Sequence, residues 1–172
     1  THHSGPHGPT VPVERAIVDC GVYVDGVRTP GRSGYLAAIR EVRSTGRGFV
    51  WLGLHAPDPH QMSTIARQFG IHELIAEDAT SGEQRPKLES YGDTLVLNLA
   101  AVRYLPHETV TDVSEIVSTG EVMVVLGADF VVTIRHGQFT ELAGIRRELE
   151  STPERLLEGP ATVSLRVASV NL

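Results

Sequence analysis

Apolar positions along the chain change period several times, and each change predicts an element. Ile17 to Val24 is apolar and β-branched and runs into Asp25-Gly26, a pair that readily takes positive φ, so a strand ending in a tight turn is predicted there. Tyr35, Leu36, Ile39 and Val42 share one side of a helix over 33–43, which Gly46 and Gly48 end. Phe49 to Leu54 is a short, continuously apolar run, the pattern of a strand buried on both faces. Asp58-Pro59 then starts a second helix: the carboxylate can cap free amides and proline suits the first helical position. Met62, Ile65, Ala66 and Phe69 supply its inner stripe, and Gly70 closes it. A short helix over 72–80 is predicted to turn Leu74 and Ile75 inward and Glu73, Glu77 and Asp78 outward.

After a connector at 81–87 the period shortens to that of strands. Strands are expected over 87–91, 94–104 and 110–118, then a hairpin from 121–126 through Gly127-Ala128-Asp129 into 130–135. Thr94 to Val102 is apolar on both sides except at Asn98, as a central strand covered by helices would be. Leu142, Ile145 and Leu149 return to helical spacing, with Thr140 as a possible cap. Thr152-Pro153 repeats a cap-then-proline start, and 161–172 is a last apolar segment. The order of elements implies an α/β protein: a mixed sheet with helices on its faces. Residues 1–14, rich in proline, glycine and histidine, are expected to be a disordered tail, and 15–172 a single soluble domain.

Composition narrows the function classes. Fifteen basic against 21 acidic side chains give a net charge of −6, so a general nucleic-acid binder is not expected. One cysteine, Cys20, excludes an internal disulfide and a four-cysteine zinc site. No run reaches the ~18–20 apolar residues of a membrane helix. The greasiest region, 122–134, is broken by Gly127, Asp129 and Thr133, and the polar start has no signal-peptide core.

Catalytic motifs are mostly missing. There is no phosphate-binding Gly-rich loop and no Gly-x-Ser-x-Gly elbow. His72-Glu73 opens like a zinc-protease helix but meets Ala76 where the second histidine belongs, and His107-Glu108 fails likewise at Thr111. His55 and His60 have no third ligand in view, and His2, His3 and His7 lie in the tail. No nucleophile–base pair can be named, so an enzyme is not expected. Glu77-Asp78 fits two readings. Adjacent carboxylates at a helix end suit a weak, water-mediated Mg2+ site completed by another surface, because this hard cation takes oxygen ligands and only one or two carboxylates. They also fit a solvated acidic helix end.

Several segments together resemble a known family. Phe49-Val50-Trp51-Leu52-Gly53-Leu54 precedes Pro57-Asp58 and an amphipathic helix. Then come Phe69-Gly70-Ile71-His72, Ala76-Glu77-Asp78, Gln84-Arg85-Pro86-Lys87-Leu88-Glu89 with Tyr91, and Asp129-Phe130-Val131-Val132-Thr133-Ile134-Arg135-His136. In this order they resemble the cytoplasmic N-terminal domain of the CorA family of magnesium transporters, over roughly residues 17–160. The resemblance implies an α/β/α sandwich belonging to a homopentamer in the bacterial inner membrane, with a stalk helix, two membrane helices and a Gly-Met-Asn signature outside this sequence. It implies divalent-cation sites between neighbouring subunits, with Mg2+ as regulatory and transported ion and Co2+ as a related one. Glu77 and Asp78 fall on the acidic pair that the family uses there, and no other cofactor is implied. Alone, the domain is expected to be a monomer that reaches the membrane only through the missing C-terminal region. Alternatives are the zinc-transporting, ZntB-like branch and a stand-alone soluble interaction module. The last segment, 164–172, has no acidic residue, which argues against a second sensing site there.

Overall fold

The computed structural model describes residues 10–31, 34–81, 86–104, 117–137 and 142–170. A 3-10 turn (Val13–Ala16) leads into β1 (Ile17–Val24), which turns at Asp25-Gly26 into β2 (Val27–Arg28). Asp25 and Gly26 both have positive φ, the geometry that a two-residue hairpin requires. Next come α1 (Tyr35–Thr45), β3 (Phe49–His55), α2 (Pro59–Phe69) and α3 (Glu73–Thr80). β4 (Lys87–Tyr91), β5 (Thr94–Tyr104), β6 (Val117–Leu126) and β7 (Phe130–Gly137) follow, then α4 (Leu142–Glu150), α5 (Pro153–Leu156) and α6 (Ala161–Val170).

The seven strands form one sheet in the order β2-β1-β3-β7-β6-β5-β4. Every pairing is antiparallel except β3 with β7, which run parallel with Trp51 opposite Val131. Period-2 alternation sends Val50, Leu52 and Leu54 to one face and Phe49 and Trp51 to the other. The first face packs under α1, α2 and α3 through Ile39, Ile65, Phe69 and Ile75. The second packs under the C-terminal helices through Ile145, Leu149, Leu156, Val163 and Val167. The mixed sheet covered on both faces agrees with the expected α/β class.

Local starts and stops follow the sequence chemistry. The Asp58 side chain accepts from the Gln61 amide at 2.7 Å, and Gln61 Oε1 accepts from the Asp58 amide at 2.9 Å, closing a capping box ahead of Pro59. Gly46 and Gly70 end α1 and α2 in the left-handed conformation.

Four expectations need correction. β5 is second from an edge, not central: Val96 and Asn98 are buried but Leu95 is 42% exposed, because the C-terminal helices reach only part of that end. Leu74 is 51% exposed, since Ile75, Ala76 and Ala79 form the inner stripe of α3. Ordered structure begins before residue 15: Val13 is buried, and Pro12 O accepts from Gln61 Nε2 at 2.8 Å. Thr152 does not cap α5; its hydroxyl donates to Glu148 O at 3.0 Å. The expected strand over 110–118 lies outside the described residues except at its end, where β6 begins at Val117, and Thr140 lies outside them too.

Candidate functional site

Glu77 and Asp78 occupy the last turn of α3. His72 caps the start of this helix, its Nδ1 accepting from the Leu74 amide at 3.1 Å, which is the structural role of His72. At the other end Ser81 donates its amide to Glu77 O and its hydroxyl to Asp78 O, both at 3.1 Å. Two carboxylates therefore stand where helix carbonyls already concentrate partial negative charge, a position that favours a cation. Glu77 is exposed and Asp78 half-buried.

The edge strand β4 lies alongside. Lys87, Glu89 and Tyr91 alternate onto one face of it. Lys87 Nζ reaches Asp78 Oδ2 at 3.4 Å and Glu89 Oε1 at 3.3 Å. Tyr91 Oη donates to Glu89 Oε2 at 2.8 Å, and the Tyr91 ring lies 5.6 Å from that of His72. The hydrogen bond from Tyr91, followed by that from Lys87, holds the Glu89 carboxyl below the usual carboxylate range. Bonding to Glu89, aided by attraction from Asp78, raises Lys87. Behind α3, His136 Nε2 meets Ala79 O at 2.7 Å. Sequence reasoning singled out Glu77 and Asp78 but missed the roles of Lys87 and Glu89; period-2 spacing on β4 was the signal that could have found them. Arg85 lies outside the described residues.

A second charged cluster sits on the opposite face of the sheet. Arg146 of α4 is 9% exposed. Its Nε meets Asp19 Oδ2 at 3.1 Å, and its Nη1 donates to Tyr23 Oη at 3.0 Å. Its guanidinium lies over the Trp51 ring at 3.9 Å. Arg28 forks onto Asp19 at 2.7 and 2.9 Å and reaches Glu150 at 3.0 Å, where Tyr23 Oη also donates at 2.7 Å. Burial pushes the Asp19 carboxyl up, but Arg28, Arg146 and the Cys20 amide outweigh it and hold it below the ordinary value. Burial pushes the Tyr23 phenol up to about 12 and the Cys20 thiol up to about 11, which makes Cys20 the inert thiol its place in a strand implies.

Among the described residues no group of three or more His, Cys, Asp or Glu side chains could hold a metal, so neither His55 with His60 nor Glu77 with Asp78 forms a closed site. Among them, too, no helix is long and apolar enough to cross a membrane.

The sequence profile of the family described as CorA-like Mg2+ transporter protein matches residues 46–169. YfjQ of Bacillus subtilis (strain 168), a proposed metal ion transporter, is 26% identical over 129 residues, covering 75% of this chain and 37% of its own length. The full-length CmaX protein superposes with a TM-score of 0.58 at 16% identity, covering 98% of this chain and 49% of CmaX. The soluble domain of CorA from Methanocaldococcus jannaschii superposes with a TM-score of 0.50 at 17% identity, covering 84% of this chain and 52% of that domain's chain. This chain thus spans about half or less of the length of each.

Proposed function

Since the chain belongs to the CorA-like Mg2+ transporter family, we propose that it is the regulatory domain of a divalent-cation transporter, in which Glu77 and Asp78 sense Mg2+. The whole transporter is a homopentamer in the bacterial inner membrane, and this domain faces the cytoplasm; alone it is a monomer. The observation that carries the reading is the placement of both carboxylates on the last turn of α3, with Glu77 open to solvent. The oxygen-only donors at that turn fit a hard cation better than zinc, which takes nitrogen and sulfur readily. With no closed site inside the described residues, the remaining ligands come from water and a neighbouring copy.

The mechanism is electrostatic. Unbridged carboxylates facing each other across a subunit seam repel by roughly 1 kcal/mol per pair at 4 Å in water. A divalent ion between them reverses the sign, so ion binding favours the closed, symmetric ring. Falling Mg2+ empties the sites and loosens the ring. Lys87 moderates the repulsion by holding Asp78 while the ion is away.

The test uses the full-length transporter. Mg2+ is expected to protect it from limited proteolysis, and Glu77→Ala with Asp78→Ala is expected to shift the protecting concentration upward about tenfold or more. Unchanged protection in the double variant overturns the assignment. Protection by Zn2+ at concentrations where Mg2+ has no effect would favour the zinc-transporting branch instead.

A further inference from the structure

The cavity between α4 and the β1–β3–β7 part of the sheet has a volume of about 390 Å3 and lies on the face opposite Glu77 and Asp78. That is within the ~300–1,000 Å3 range of small-molecule pockets. Val18 and Leu142 give it apolar walls. Its charged lining runs against the rest of the chain. Arg28, Arg146 and Arg147 oppose Asp19 and Glu150, so the lining is 3 − 2 = +1 before counting Arg135, in a chain of −6. Both carboxylates are already engaged, Asp19 by Arg28 and Arg146, and Glu150 by Arg28 and Tyr23.

Donor capacity is left over. Arg146 Nη2 has only a long contact to Trp51 O, at 3.4 Å. Thr133 Oγ1, almost fully buried, accepts from Trp51 Nε1 at 3.3 Å and so keeps its own proton to donate. These two atoms flank Gly53 together with the Asp19 carbonyl oxygen: a side-chain carbon there would lie 3.6 Å from Arg146 Nη2, 3.7 Å from Thr133 Oγ1 and 3.8 Å from Asp19 O. The glycine therefore leaves a space beside two converging donors. Arg147, the next residue on α4, lines the same cavity, is exposed, and makes no ion pair among the described residues.

We propose that this cavity binds a small organic oxyanion, its charged group beside Gly53 between Arg146, Thr133 and Arg147 and its apolar part against Val18 and Leu142. Carboxylates and phosphate monoesters share the chemistry that guanidinium groups recognise. The site does not depend on the metal-sensing reading, because it uses the other face of the sheet.

The test is calorimetric titration of the purified chain at constant ionic strength with succinate in one arm and glycerol 3-phosphate in the other. Trp51, the only tryptophan, lines the cavity and reports in parallel by fluorescence. At least one probe is expected to bind one-to-one with a Kd of about 1 mM or tighter and to change the Trp51 emission. The probe that binds more tightly identifies the anion class. Arg147→Ala, at an exposed position that spares folding, is expected to weaken binding about tenfold, the loss of one charge-assisted contact. Ala143→Phe, shown by circular dichroism to be folded, is expected to obstruct the cavity and abolish binding. Binding of neither probe overturns the proposal, as does binding that Arg147→Ala leaves unchanged.

Discussion

At the scale of single residues, the Asp19–Arg146 contact decides most. It joins β1 to α4 across 127 positions of sequence, and Arg146 is nearly buried while Asp19 keeps a side-chain exposure of 31%. Asp19→Asn would leave the Arg146 charge without its carboxylate. Removing one partner of a fully buried pair costs ~3–5 kcal/mol, and the exposure of Asp19 lowers the expected loss here to about 2 kcal/mol. Urea unfolding at pH 7 measures it. The same experiment at low pH checks the sign. The Asp19 carboxyl lies below its ordinary value in the native state, so its contribution is full above about pH 4 and disappears as pH falls through the native value. The gap between variant and parent should therefore close in acid; a gap of constant size would show that the carboxylate charge does not matter. Tyr23 behaves in the opposite sense. Its proton is held up to about pH 12, so its contribution is present below the ordinary phenol value and is lost as pH climbs through that window. An alkaline absorbance titration should show Tyr23 ionising last or only with unfolding, and Tyr23→Phe should remove that late step. None of this cluster was legible in the sequence, because nothing local marks a pair so far apart. The adjacency of Glu77 and Asp78 is plain in the sequence, whereas the contact of Lys87 with Asp78 emerges only when β4 is laid beside α3.

Elements were read well where short-range chemistry sets them. The capping box at Asp58 and the left-handed glycines after α1 and α2 are local signals, and the helices fall where those signals put them. β2 was missed because two residues carry no period. The rank of β5 in the sheet was misjudged because an apolar strand looks the same whether helices cover it wholly or in part. Gly46 and Gly48 looked like equivalent helix breakers, yet the fold makes them unequal. Both have positive φ, at 66° and 80°. A side chain at Gly46 would meet nothing within 4 Å, whereas one at Gly48 would fall 2.3 Å from Tyr23 O in β1. Gly46→Ala should cost about 1 kcal/mol, the penalty for a left-handed L-residue. Gly48→Ala should cost about 3 kcal/mol or more, since the β1–β3 pairing must also shift. Equal midpoints for the two variants in urea would refute this account of the β1–β3 approach.

At the scale of the whole molecule, the sheet has one seam. β2, β1 and β3 come from the first third of the chain and β4 to β7 from later, and the halves meet only through the parallel β3–β7 ladder. Sequence patterns cannot reveal such a pairing, since both strands read as buried and nothing between them announces a partner. The seam is nonetheless no weak point, because each core layer crosses it. On one face Val50 and Leu52 of β3 pack in the same cluster as Val125 and Val132 of β6 and β7. On the other, Trp51 joins Val124 and Val131 beneath α4 and α6. Opening the seam would expose both layers at once, so neither half has a core of its own to retain. The chain should therefore unfold in one cooperative step. Trp51 sits in β3 at the seam and senses its opening, while far-ultraviolet circular dichroism senses the helices on both faces. The two urea transitions should coincide. A Trp51 transition at lower urea than the loss of helix would mean that the halves separate first, and that the two layers do not bind the sheet into one unit.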